Sequence, residues 1–337
     1  MAATEEHWLD TGLLLSSFSD GLKPNEQATN FLMKCLVRTL WREHLSKIER
    51  QVEESVLASP CCGPTDLESL TKMETADTAL TEKEEEISWK ESLKQLQNES
   101  EAELELRFLY IPTAMYALRS DSKNTPGKQR QRARADGKKR RNEIIELLTK
   151  QLGDCVNILA VTLDFDDGSI KQPQGGTDQT SRYPTNGKEA LESWKPNFIY
   201  IQGGNTFWLY HCMEKGGYKE LLINAVTGND AAVYCGTSAG AIIAGSSMET
   251  ATWKGWDDPS VVPDKTNYND WKGVSGLNLA GDISIFPHMD SQWQALVDEK
   301  QQGIAGKVYC LKDEEILKVD GNTKTVEKLL MSCASAA

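Results

Sequence analysis

The sequence predicts an α/β fold, a mainly parallel sheet with helices packed on both faces. Three observations carry that expectation. Short apolar runs of strand length recur along the chain, among them Cys155–Val161 and Asn197–Ile201. Longer segments with apolar residues at helical spacing alternate with them, and such alternation favours parallel strands joined by crossover helices. Between the apolar run Ala231–Cys235 and the small-residue run Ala241–Ala244 lies Gly236-Thr237-Ser238-Ala239-Gly240, a strand-to-helix turn of the kind such sheets use.

Taken in order, Gly12–Phe18 reads as a first buried strand that stops at Asp20-Gly21 and Pro24. Residues 26–54 place Phe31, Leu32, Cys35, Leu36, Leu40, Trp41, Leu45 and Ile48 at helical spacing. Ser59-Pro60-Cys61-Cys62-Gly63-Pro64 breaks that pattern. From Asp66 to Glu105 the chain is rich in Glu, Lys, Ser and Thr, with Glu82-Lys83-Glu84-Glu85-Glu86 representative. Residues 55–105 are therefore expected to be an acidic insert, exposed helix or partly disordered, outside the core of a single domain spanning 1–337. Strand character resumes at Leu106–Pro112, and a basic stretch at 123–141 is expected to lead as a solvated face into a helix around Asn142–Leu148, with a nuclear-localisation or anionic-partner patch as the alternative. After the central turn come Ile283–Phe286 and Val308–Leu311, then a hairpin signalled by Glu315–Val319 and Asp320-Gly321-Asn322.

Composition bounds the function. A formal charge of −13 over 337 residues argues against a general nucleic-acid-binding role, which needs a net basic face. The eight cysteines show no Cys-x-x-Cys pair and no Cys/His cluster, so no metal site is expected and a reducing compartment is. No run reaches the roughly eighteen apolar residues of a spanning helix, and Leu13-Leu14-Leu15 is too short for a signal core. A cytoplasmic protein without a membrane partner is the expectation.

Gly-x-Ser-x-Gly arises by chance in roughly one chain in ten of this length, so the flanking runs carry its reading as a nucleophile elbow. A serine hydroxyl needs an adjacent base. Of four histidines, His7 lies in the terminal tail, His44 on the first helix and His211 on the helix after Gly203-Gly204. His288 directly follows Phe286-Pro287 at a strand end, which is expected to bring it to the same sheet edge as Ser238. Gly203-Gly204-Asn205-Thr206 also ends a strand, where glycines let backbone N–H groups face a cleft.

Together, Ile201–Phe207, Tyr234–Ala241 and Phe286-Pro287-His288 resemble peptidase E, the alpha-aspartyl dipeptidase grouped with cyanophycinase among serine peptidases of class I glutamine-amidotransferase-like fold. The likeness covers roughly two thirds of the chain. It implies Ser238 as nucleophile, His288 as its base and Asp313 as the third member, with Glu314 as the alternative acid. It implies an oxyanion hole from the N–H groups of Gly204 and Ala239, and a short peptide substrate lined by Asn205, Thr206 and Lys300. No cofactor is implied. The arginine expected to hold an aspartyl carboxylate is absent, and Lys300 is the nearest basic residue, which leaves aspartyl specificity open. The segment Trp253–Trp271 makes a longer loop than the family's. An α/β-hydrolase esterase and a non-catalytic scaffold using the acidic insert are the alternatives. A homodimer, or a partner held by that insert, also stays open.

Overall fold

In the computed structural model, residues 12–16, 26–58, 88–100, 103–120, 122–172, 182–227, 231–321 and 325–330 are described, the side chains of 55–58 excepted. Their helices are α1 (Glu26–Ala58), α2 (Trp89–Glu99), α3 (Pro126–Leu152), α4 (Gly187–Glu192), α5 (Thr206–Gly216), α6 (Lys219–Thr227), α7 (Ala239–Ala244), α8 (Thr250–Trp253) and α9 (Gln294–Lys300). The strands are β1 (Gly12–Ser16), β2 (Leu104–Ile111), β3 (Val156–Leu163), β4 (Ile170–Lys171), β5 (Phe198–Ile201), β6 (Val233–Thr237), β7 (Ile283–Phe286), β8 (Lys307–Cys310), β9 (Glu315–Asp320) and β10 (Thr325–Leu330). Eight of them form one sheet in the order β10-β9-β1-β6-β5-β2-β3-β4. The five strands from β1 to β3 in that order run parallel, and β9, β10 and β4 are antiparallel additions at its margins.

Alternation along each strand divides the core into two layers. Leu13, Leu15, Leu109, Ile111, Ile199, Ile201 and Tyr234 join one cluster, with α5, α6 and α7. Leu14, Phe108, Tyr110, Phe198, Tyr200, Val233 and Cys235 join the other, under α1, α2 and α3. On that second face Phe108 stacks on Phe198 at 5.0 Å and Tyr110 on Tyr200 at 5.8 Å, which fixes the register of β2 against β5. The chain turns opposite ways out of β2 and β5, so their carboxyl ends frame a crevice where ligands of such sheets bind.

Three sequence expectations are corrected. Ile283–Phe286 and Val308–Cys310 do not enter the main sheet; they pair with each other as a separate two-stranded parallel sheet. The end of the acidic segment is not outside the core: α2 buries Leu93 and Leu96, and Trp41 Nε1 donates to Ser92 O at 3.2 Å. Each buried leucine contributes about 1.5–3 kcal/mol, and a Ser88–Glu91 capping box starts the helix. Residues 59–87 and 101–102 of the expected insert lie outside the described residues. The basic stretch is no approach to a helix but the first half of α3 itself, begun by Thr125 as cap and Pro126.

Of the cysteines, Cys35, Cys155, Cys212, Cys235 and Cys310 are free thiols; Cys61, Cys62 and Cys333, like His7, lie outside the described residues. No described helix is long and apolar enough to cross a membrane.

Candidate active site

The turn from β6 into α7 is as tight as its glycines require. A Cβ on Gly236 would press on the carbonyl of Gly240 at 2.5 Å, and one on Gly240 would overlap the carbonyl of Ile201. Ser238 sits between them at φ 47°, ψ −105°, a region that costs a non-glycine residue on the order of 1–3 kcal/mol. Surrounding hydrogen bonds hold it there. Its N–H donates to Ser16 O at 2.8 Å, its carbonyl accepts from Ala241 and Ile242, and Tyr234 OH donates to Gly240 O at 2.7 Å. The Ser238 side chain caps nothing in the helix it starts, so its hydroxyl projects free of the turn.

The imidazole arrives from the small sheet. β7 packs against α7, and beyond it His288 adopts φ 54°. Met289 N–H donates to Leu311 O at 2.8 Å and Leu311 N–H to Phe286 O at 2.9 Å, so the chains leaving β7 and β8 are zipped together. That zipper carries Asp313 to His288. Nε2 of His288 lies 3.1 Å from Ser238 Oγ, and Nδ1 lies 2.7 Å from Asp313 Oδ1. A carboxylate only accepts, so Nδ1–H donates to Asp313, which leaves Nε2 to accept from the serine hydroxyl. Asp313, not Glu314, is the acid on the ring. Because it follows the histidine in the chain, the order is not that of an α/β-hydrolase.

Two glycines floor the cleft beside the serine. A Cβ on Gly203 would stand 2.9 Å from Ser238 Cβ, and one on Gly204, at φ 147°, would overlap the backbone of Ala114. Gly203 N–H is already taken by Thr237 Oγ1 at 3.0 Å. The N–H groups of Gly204 and Ala239 donate to no other group among the described residues. A pair of unspent donors flanking a serine at a helix start suits a developing oxyanion.

The other expected contacts fall elsewhere. Asn205 caps α5 through Trp208 N–H at 2.8 Å and donates from Nδ2 to Asp258 O at 3.0 Å. Thr206 gives both its N–H (2.9 Å) and its hydroxyl (2.5 Å) to the Asp257 carboxylate. Both side chains thus fasten the loop 253–271 instead of opening to the cleft. Burial raises the pKa of Asp257, while the Thr206 bonds and the charge of His288 pull it down. Lys300, at the end of α9, pairs with Glu299 at 3.6 Å.

The cation that holds the backbone at His288 is Lys254, a residue that sequence reasoning passed over. Its Nζ donates to Pro287 O at 2.5 Å and His288 O at 2.6 Å. It lies over the rings of Phe286 (4.3 Å) and Trp256 (4.4 Å). Burial pushes its amine down to about 8, against the opposing charges of Asp313 and Asp290. Trp256, 58% exposed, stands 5.7 Å from the His288 ring and 5.7 Å from Trp293, forming an aromatic wall. The one sequence signal for these groups was the density of tryptophan in the loop after α7. The remaining described histidines pack against tryptophans, His44 on Trp41 and His211 on Trp208. No group of three or more His, Cys, Asp or Glu among the described residues is placed to hold a metal ion.

Comparison with known proteins bears on this geometry. Residues 183–327 match the model of peptidase family S51, a span that holds Ser238, His288 and Asp313. An uncharacterised peptidase of Listeria monocytogenes is 28% identical over 138 residues, covering 40% of this chain and 62% of that one. An uncharacterised peptidase of Listeria innocua is 33% identical over 142 residues, covering 39% and 63%. The chain therefore spans less than two thirds of the length of these curated relatives. Among solved structures, a candidate peptidase E protein from Listeria monocytogenes overlays with a TM-score of 0.41 at 19% identity, covering 71% of this chain and 93% of its own. A peptidase from an acI-B1 actinobacterium gives 0.39 at 13% identity, covering 97% and 96%.

Proposed function

We propose that this chain, whose residues 183–327 match the model of peptidase family S51, is a serine peptidase of peptidase E type that hydrolyses short peptides through an acyl-enzyme. The observation that carries the proposal is the relay from Ser238 Oγ to His288 Nε2 at 3.1 Å and from Nδ1 to Asp313 at 2.7 Å. In this reading Ser238 attacks the scissile carbonyl while His288 takes its proton. The carbonyl oxygen, turned oxyanion, accepts from Gly204 and Ala239. His288 then gives the proton to the leaving amine, and Asp313 holds the imidazole in the required tautomer and steadies its charge. Water activated by the same imidazole releases the acyl group, and Ser238 recovers its proton.

Substrate preference follows from what lines His288. Lys254 spends donors on two backbone carbonyls and Asp313 stands beside the ring, so a substrate carboxylate there would meet a carboxylate. Trp256 and Trp293 offer apolar surface instead. A dipeptide with an apolar residue is the expected substrate, ahead of an N-terminal aspartyl dipeptide. The glycine floor and the tryptophan wall suit a short chain better than a folded one.

The test is labelling with a fluorophosphonate, followed by a panel of Leu-X, Asp-X and β-aspartyl-Arg dipeptides. Wild type is expected to label at Ser238, and Ser238→Ala to lose both labelling and turnover, the latter by roughly 10⁴- to 10⁶-fold. An unlabelled wild type that cleaves none of the panel would sink the proposal.

A further inference from the structure

The basic run that the proposed reaction leaves unused closes around a cavity. Arg134, Lys138 and Arg141 occupy positions i, i+4 and i+7 of α3 and so share one face. With Tyr116, Thr162, Lys171 and Gln172 they line a half-open cavity of about 470 Å³, a volume suited to a small ligand. Thr162 lies near the carboxyl end of β3, Lys171 in β4, and Tyr116 in the turn that follows β2. In the sheet, β5 and β2 separate β3 from β6 and its serine, so the cavity is set apart from the hydroxyl of Ser238.

Arg141 is the unusual member. It is 5% exposed, and its Nη1 donates to Thr162 Oγ1 at 3.0 Å and its Nη2 to Asn142 Oδ1 at 3.3 Å. Its buried Nε has no partner. Among the described residues no carboxylate makes an ion pair with Arg141, Arg134, Lys138 or Lys171. The nearby acids are spent or remote. Asp166 pairs with Arg130 at 3.5 Å, and Asp164 Oδ1 accepts from Thr113 and from Asp166 N–H. Asp167 attracts Lys171 and Arg134 without bridging to them. Burial depresses the Arg141 pKa, opposed by the phenols of Tyr110 and Tyr116 and by no carboxylate, yet a guanidinium stays charged. A buried cation with an unspent N–H, lining one cavity with Arg134 and Lys138 of its own helix and with Lys171 of β4, lacks an anion.

We infer that this cavity binds a small phosphate-bearing molecule, its phosphate held by Arg141 and the three other cations on the cavity's walls. A phosphate offers more acceptors and more charge than a single carboxylate, and guanidinium geometry matches it in bidentate fashion. The Tyr116 ring, 5% exposed, backs the Arg134 guanidinium at 6.0 Å and so steadies one of those cations.

Isothermal titration of the full chain at low ionic strength, with AMP and with inorganic pyrophosphate as probes and succinate as dicarboxylate comparator, tests this. Saturable single-site binding of either phosphate is expected, weaker as salt is raised. Because Arg141 is buried, Lys138→Gln and Lys171→Gln, on exposed side chains, carry the mutational arm. Each is expected to weaken binding about tenfold, with unchanged circular dichroism and Tm. No binding of either phosphate, equal affinity for succinate, or affinity unmoved in the double lysine variant would each overturn the inference.

Discussion

Ser238 and His288 both hold positive φ, 47° and 54°, where side chains other than glycine are strained. Each is pinned by neighbours that do no chemistry: Ser16 O for the serine, the Lys254 ammonium for the carbonyl of the histidine. Lys254 therefore acts as a positioning residue in the proposed reaction. Its amine, pushed down to about 8 by burial, is charged below that pH and neutral above it. As pH rises through about 8 the ammonium loses its charge, and its bonds to Pro287 and His288 weaken together with its hold on the Trp256 ring. The kcat profile is expected to fall on that alkaline side. Lys254→Met should remove the inflection and lower kcat tenfold to a hundredfold at neutral pH, the scale of a misplaced group. Identical pH profiles for the two proteins would end this assignment.

At the scale of elements, the site is an assembly of four chain ends. β5 delivers the glycine floor, β6 the serine, and the zipped exits of β7 and β8 the imidazole and the carboxylate. On the opposite face α2 closes the second core layer, with Leu96 fully buried and Trp89 Nε1 reaching Asn30 at 3.2 Å. Leu96→Ala is expected to cost about 2–5 kcal/mol in denaturant unfolding, with turnover per folded molecule unchanged. If stability does not move, α2 is not part of the core and the acidic segment is peripheral to its last residue.

For the whole molecule, a polar link anchors α1 to the sheet. Glu43 on α1 accepts from Arg107 on β2 at 2.7 Å and from Asn197, before β5, at 3.0 Å. Burial raises the Glu43 pKa, but these bonds, Arg107 foremost, outweigh it and hold the carboxyl below the ordinary range. A carboxylate with a depressed folded pKa stabilises above its unfolded value, and the contribution is lost as pH falls through the folded one. Unfolding of wild type from neutral pH downward should therefore show an acid-side loss that Glu43→Gln largely lacks, with the variant less stable by about 1.5–3 kcal/mol at pH 7. Parallel curves for the two proteins would remove Glu43 from the account.

The sequence by itself determined the parallel strands, the strand-to-helix turn at Ser238 and the candidate His288, because apolar period, glycine spacing and scarce residue types are local properties of a chain, while Asp313 was implied only by the likeness to peptidase E. Glycine at 203, 204, 236 and 240 announces close backbone approach before any partner is known. Only the tertiary structure decided that β7 and β8 leave the main sheet, that Asn205 and Thr206 hold a loop, and that Lys254 holds the carbonyls of Pro287 and His288. It also turned a basic run into the wall of a cavity around a buried arginine. Those outcomes depend on which surfaces meet across long separations, where burial and hydrogen-bond competition between remote residues set the result, and no local pattern carries that information.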